Sequence, residues 1–270
     1  MSLALDDVRI ARGPRTLVEG LNAAPPAGSL TLIAGPNGVG KSTLLDALAG
    51  DAAPAGGQIL LQGQPVHRLP LAQRARCRAF LPQRVGIAFA FPVIDVVAMG
   101  LAPFGLSPTS GPGKAIVEAA MADADVARFA ARPATQLSGG EQQRVHIART
   151  LAQVEAALAS GIRHPLLLLD EPLTGLDYAH QFALMRRFAR AAGDGASVFV
   201  SLHDLVLGAP HADWLLLLAP GQPPRFAAPG ALLQPEIIAA AFALSPCEAA
   251  RVLAATGEMT SRPTTAIAAE

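Results

Sequence analysis

Gly35-Pro36-Asn37-Gly38-Val39-Gly40-Lys41-Ser42 fits the pattern G-x-x-x-x-G-K-S, and the residues on either side of it decide the fold. Before it, Ser29 to Ala34 is a short run of β-forming residues. After it, Lys41 to Leu48 carries apolar residues at helical spacing. Strand, loop and helix in that order are the setting a phosphate-binding loop needs. Glycines let backbone N–H groups converge on the α and β phosphates of a nucleotide, and the following helix adds its positive end. Lys41 is expected to reach the β and γ phosphates, Ser42 to ligate Mg²⁺ through its hydroxyl, and Thr43 to touch the α phosphate. Lys41 stands out against the composition: the chain has only one other lysine, Lys114, and its remaining cations are arginines and histidines. A compact ammonium fits between phosphate oxygens where a planar guanidinium does not.

Four further stretches follow in a fixed order. Leu166-Leu167-Leu168-Leu169-Asp170 reads as a buried strand delivering a carboxylate to the Mg²⁺ shell, and Pro172 stops that strand. Glu171 lies beside Asp170 and is the natural group to orient or deprotonate an attacking water. His203 follows the apolar run Ser197 to Leu202 and can hold Glu171 and the γ phosphate. Gln83 follows the strand candidate Arg78 to Leu81, and its amide oxygen can bind Mg²⁺. Ser138-Gly139-Gly140 opens a helix from Glu141 onwards, a second small-residue turn at a helix N-terminus. Ser138 and Glu141 also have the spacing of a capping box, and the two readings are compatible. The other five histidines, His67, His146, His164, His180 and His211, read as structural.

The remaining composition bounds the class. The 270 residues carry zero formal net charge and are 51% hydrophobic, with a mean hydropathy of +0.36. A neutral balance argues against nucleic acid as a partner. The cluster Arg74, Arg76, Arg78 and Arg84 reads as a solvated helix face. No apolar run is long enough to span a bilayer, and Asp6, Asp7 and Arg9 interrupt any leader. The apolar balance nevertheless implies a covered surface, which a membrane-embedded partner would supply. Cys77 and Cys247 have no metal-ligand spacing and read as ordinary thiols.

Along the chain, Leu3 to Ile10 reads as an edge strand and Gly57 to Gly63 as another strand. Val93 to Met99, Ala115 to Met121 and Gln142 to Ala157 read as helices, with Ala102 to Gly113 a loop. Strands return at Leu166 and Ser197, and again at Trp214 to Leu218. Ala231 to Phe242 is a helix candidate, and the chain from Thr256 reads as loose. The outcome is an α/β core with a helical insert.

Gly35 to Thr43, Leu137 to Arg144, Asp170-Glu171-Pro172 and Leu173 to Asp177 together resemble the nucleotide-binding subunits of ABC transporters, over roughly residues 3 to 245. The resemblance implies a P-loop NTPase with a RecA-like core and antiparallel β subdomain (1–83 and 160–230). It also implies an inserted helical subdomain (84–159), making one ATP-binding domain over 1–245 and a tail over 246–270. It implies a head-to-tail homodimer in which each ATP meets the loop Gly35 to Thr43, Gln83, Asp170, Glu171 and His203 of one copy and Ser138 to Gly140 of the other. Asp177 would mediate communication across that interface. Two integral membrane permease subunits and, through them, a periplasmic substrate-binding protein complete the implied complex, at the cytoplasmic face of the inner membrane. Phe89, Phe91, Val93 and Ile94 are the candidates to line or support the groove that receives the permease.

Three stretches, Ile87 to Gly100, Leu176 to Gln181 and Ala159 to Arg163, are particularly similar to hemin importer ATP-binding proteins. Ferric-siderophore and vitamin B12 importers, and then a soluble ABC ATPase, are the alternatives. The chain departs from the family in its first strand region, where an aromatic residue stacks on adenine. Here Arg12 is the candidate, and other nucleoside triphosphates become acceptable.

Overall fold

The computed structural model describes residues 3–86 and 89–257. Ile87, Ala88 and the tail from residue 258 lie outside the described residues. The chain opens with a hairpin, β1 (Leu3–Arg12) and β2 (Arg15–Ala23), closed by Gly13 and Pro14. β3 (Leu30–Ala34) runs into the glycine loop and α1 (Lys41–Ala49), and β4 (Gly56–Leu61) and β5 (Gln64–Pro65) follow. After α2 (Leu71–Cys77) and β6 (Arg78–Leu81) come three helices, α3 (Val93–Ala98), α4 (Gly111–Asp123) and α5 (Gly139–Ala159). The chain then alternates through β7 (Leu166–Asp170), α6 (Tyr178–Gly193), β8 (Ser197–Ser201), α7 (Leu205–Gly208) and β9 (Trp214–Leu217). It ends with β10 (Arg225–Ala227), α8 (Pro229–Leu232), α9 (Pro235–Phe242) and α10 (Pro246–Gly257).

Two sheets result. One is antiparallel with order β2-β1-β4-β5; the other has order β10-β9-β3-β8-β7-β6, parallel except for β10. β7 is leucine from Leu166 to Leu169 because both its faces are buried. Leu167 and Leu169 join the core shared with α3 to α6. Leu166 and Leu168 face the opposite core, where α1 is held between the two sheets. The parallel strands all end on one side, which sets the glycine loop, Gln83, Asp170-Glu171 and His203 side by side. The carboxyl edge of an open α/β sheet is where such folds bind ligands.

Several expectations need correction. β1 is an interior strand, paired on both sides, not an edge strand. Arg74 and Arg78 are not on a solvated face: both reach Asp51, at 3.3 and 2.5 Å, and Arg74 also donates to the Gly50 carbonyl. They tie α2 and β6 to the end of α1. The helix expected over Ala231 to Phe242 is two helices, parted just before Pro235, which cannot continue the first one. Within the stretch expected to be a loop, Ser110 caps α4 by accepting from the Gly113 N–H at 3.2 Å. Thr256 is not loose but lies near the end of α10, buried, and donates to the Leu253 carbonyl. Ser245 and Glu248 form a capping box that starts this helix, and it packs on α7 and α9. Among the described residues no single helix is long and apolar enough to cross a membrane.

His146, on α5, is buried, and neither ring nitrogen has a hydrogen-bond partner among the described residues. Burial, helped by the Arg149 charge, pulls its pKa from 6.5 to about 4. The folded chain therefore holds a neutral ring where the unfolded chain takes up a proton below pH 6.5. The stability this ring permits is complete above 6.5 and is lost as pH falls towards 4. Between pH 7 and pH 5 the loss expected from this group is about 2 kcal/mol. Urea unfolding of His146→Leu at the two pH values should show a drop smaller than wild type by that amount; an equal drop would remove the assignment.

Candidate active site

The glycine loop is built by close approach. Gly35 leaves β3 with φ +150°, and a Cβ there would stand 2.3 Å from the Leu218 carbonyl oxygen, so no other residue fits without moving the backbone. Val39 is buried beneath the loop, and Gly40 presses against Leu17 of β2. Lys41 turns back over the loop and donates to the carbonyls of Gly35 at 2.8 Å and Pro36 at 3.2 Å. Its burial lowers the ammonium pKa, and the charges of Glu171 and Asp170 partly restore it.

The loop faces a cavity of about 500 Å³ lined by Asn37, Gly38, Gly40, Lys41, Ser42, Thr43, Gln83, Glu171 and His203. Arg12 of β1 and Arg15 and Leu17 of β2 also line it. Gly35, Pro36 and Val39 turn beneath the lining rather than in it. Asp170 lies behind it, buried, accepting from the Ser201 hydroxyl at 2.6 Å. That hydroxyl in turn accepts from the Glu171 backbone N–H at 3.0 Å, so Ser201 fixes both acidic residues.

Glu171 has φ +48°, an uncommon backbone for a residue with a side chain. Its carboxylate is gripped from two sides: Gln83 Nε2 donates to Oε2 at 2.8 Å, and His203 Nε2 lies 2.7 Å from Oε1. With its nitrogen committed, Gln83 keeps its amide oxygen as an acceptor. The oxygen set of Ser42, Gln83 and Asp170 is hard, with few ligands, and suits a Mg²⁺ ion that also takes phosphate oxygens and waters.

Ser138, Gly139, Gly140 and Asp177 do not line this cavity. Ser138 caps α5 in a full capping box: Glu141 N–H donates to its hydroxyl at 3.4 Å, and Glu141 Oε2 accepts from the Ser138 N–H at 2.8 Å. The bonds from the Ser138 backbone and hydroxyl hold the Glu141 carboxyl below its ordinary pKa. A Cβ on Gly140 would stand 3.3 Å from the Gly175 carbonyl oxygen, so this turn rests on the segment leading to Asp177. Asp177 caps α6 and is held by His180, whose ring also meets Asp125 and Arg144. The second turn is thus a formed element with open space over Gly139, set apart from the cavity that Lys41 lines.

Three participants were not singled out in the sequence. Arg15 and Leu17 lie on β2, whose signal was the two-residue Gly13-Pro14 turn. Ser201 is a β8 residue with no motif around it. Of the apolar candidates, Phe89, Phe91 and Ile94 are exposed and the Phe89 and Phe91 rings are 6.1 Å apart, whereas Val93 is fully buried in the core. Gly161 to Arg163 lie opposite α2 across a surface groove shared with Gln73, Arg76 and Cys77.

A glycine loop at the end of a central parallel strand, with Asp170 and Glu171 on a neighbouring strand, defines a P-loop nucleoside triphosphatase. A family profile described as ABC transporter matches residues 18–174. The hemin import ATP-binding protein HmuV of Pseudomonas aeruginosa is 43% identical over 244 residues, which is 90% of this chain and 92% of that protein. The protein of that name from Streptomyces coelicolor is 43% identical over 219 residues, 81% of this chain and 75% of its own. Among solved structures, an ABC transporter assigned to the metal-chelate type, in an inward-facing conformation, is similar with a TM-score of 0.71 and 26% identity. That match covers 89% of this chain and 88% of that one. The chain belongs to the ABC transporter family; it is an ATP-binding subunit with ATPase activity coupled to transport, peripheral to the membrane.

Proposed function

We propose that this chain energises the import of haem by hydrolysing ATP at a site completed by a second copy of itself. For the cargo, the carrying observation is the 43% identity to a hemin import ATP-binding protein over 90% of the chain. Lys41 and the loop from Gly35 to Thr43 hold the phosphates. Ser42, Gln83 and Asp170 would hold Mg²⁺, which would supply neutralisation of phosphate charge. Glu171 orients or deprotonates the attacking water, and His203 keeps Glu171 and the γ phosphate in register. Ser138 to Gly140 of the second copy close over the γ phosphate with the N-terminus of α5, and Asp177 links the two sites. The geometry that supports a homodimer is the separation of two phosphate-binding turns on one chain, each lacking what the other provides.

Phe89, Phe91, Ile94 and Met99 are large apolar side chains left exposed, in the stretch that follows Gln83. They support contact with an integral membrane permease, of which two copies would be needed, with a periplasmic binding protein on the far side. The subunit would then sit on the cytoplasmic face of the inner membrane. Vesicles containing the cognate permease and this subunit test the cargo. ATP-dependent uptake of haem, with ferric siderophore and vitamin B12 left outside, is the expected result; uptake of either of the others in place of haem overturns the assignment.

A further inference from the structure

One imidazole joins the segment that carries Asp177 to the helix that Ser138 caps. On α6, His180 and Arg187 stand seven residues apart, which places them two turns apart on one face. Both meet carboxylates at the end of α4. Arg187 reaches Asp123, and also Glu155 of α5 at 2.5 Å. His180 reaches Asp125, with Nε2 3.2 Å from Oδ2. Asp125 follows α4 with φ +51° and also accepts from Arg144 of α5 at 2.7 Å. Arg144 is buried, and it too meets His180 Nε2. The other ring nitrogen, Nδ1, lies 2.8 and 2.7 Å from the two carboxylate oxygens of Asp177.

The ring is linked to α5 and the end of α4 in either protonation state. A neutral Nε2 accepts from Arg144, which itself donates to Asp125; a protonated Nε2 donates to Asp125 directly. Capping α6 does not need the ring, because the His180 backbone N–H donates to Asp177 at 3.0 Å. Asp125 and Asp177 are exposed, and exposed ion pairs contribute little to stability. The chain between Glu171 and Asp177 is held by the same two helices. Gln143 of α5 donates to the Pro172 carbonyl at 3.1 Å, and Gln181 of α6 to the Leu176 carbonyl at 3.0 Å. We propose that His180 is a positioning residue: it fixes Asp177 in register with the Ser138 to Gly140 turn, so that both meet a second copy as one body. The inference rests on the shared-site reading above. Without the ring, Asp177 keeps its cap but loses its tie to Arg144 and Asp125, and the donors offered to the second copy's nucleotide are no longer preorganised. Nucleotide binding to one chain is unaffected, since none of Asp125, Arg144, Asp177 and His180 lines the cavity at Lys41.

The test is steady-state ATP hydrolysis by the full chain, with equilibrium ATP binding measured on each variant. His180→Ala should lower kcat about ten-fold or more while the ATP dissociation constant stays unchanged. Two half-replacements locate the cause. Asparagine puts an amide near the Nδ1 position and serves only Asp177; glutamine puts one near Nε2 and serves only Asp125 and Arg144. Neither His180→Asn nor His180→Gln should restore kcat, because each keeps one end of the link. Asp125→Gly suits the positive φ and removes the carboxylate. Combined with His180→Ala, it should slow hydrolysis no further than the slower single variant, since both break one link. Unchanged kcat in His180→Ala, full recovery with asparagine or glutamine, or multiplied losses in the double variant overturns the positioning role and leaves the shared site standing. Normal hydrolysis in Ser138→Arg overturns the shared site itself. Should His180→Ala fail to fold, the asparagine and glutamine variants decide the matter by the same criterion.

Discussion

Glu171→Gln is expected to lower ATP turnover by about two to four orders of magnitude while nucleotide binding persists. The substitution keeps the shape of the side chain and removes the group that can take a proton. The carboxylate is not loosely placed: Gln83 and His203 hold one oxygen each, at 2.8 and 2.7 Å, and Ser201 fixes the backbone N–H behind it. A group positioned by three others, on a backbone with φ +48°, is organised for a task other than packing. Binding should persist because Lys41 and the loop amides are untouched. Steady-state hydrolysis is the readout, and undiminished turnover would remove Glu171 as the base.

The second large effect is expected from Ser138→Arg. Ser138 lies outside the cavity that holds Lys41 and Glu171, so the variant should bind one ATP per chain as well as wild type does. Hydrolysis should fall by about two orders of magnitude, the cost of losing preorganised donors at the developing charge. A long cation would keep the turn from seating on another chain's nucleotide. Part of any loss of stability would come from the helix cap, at about 1 kcal/mol. Ser138→Ala is the control, because it loses the same cap without the bulk and should retain more activity than the arginine variant. Normal hydrolysis in Ser138→Arg would mean that the turn takes no part in the site.

The glycine loop and the two acidic residues were legible because their chemistry leaves few alternatives. Glycine is needed where a Cβ on Gly35 would stand 2.3 Å from the Leu218 carbonyl oxygen, and a strand buried on both faces must be apolar up to Asp170. β2 was not legible. Its pairing with β1 carries register shifts, so apolar and polar residues do not alternate cleanly along it. With β2 unseen, β1 read as an edge, and Arg15 and Leu17 had no reason to be near the glycine loop. α10 was hidden by its alanine-rich sequence, although Ser245 and Glu248 carried the capping signal. The arginine cluster misled for a different reason. Composition reports charge but not partners, and Asp51, which holds both Arg74 and Arg78, lies more than twenty residues away in sequence.

The composite site is tested most directly by the molar mass in solution of the Glu171→Gln chain with and without ATP and Mg²⁺, alone and combined with Ser138→Arg. The nucleotide-free chain should run at 27.7 kDa. With ATP, Glu171→Gln should shift to about twice that mass, as expected of a closed two-fold pair, and the double variant should bind ATP yet stay at the single-chain mass. A Glu171→Gln chain that binds ATP and remains monomeric, or a double variant that dimerises equally well, would contradict a nucleotide site shared between two copies.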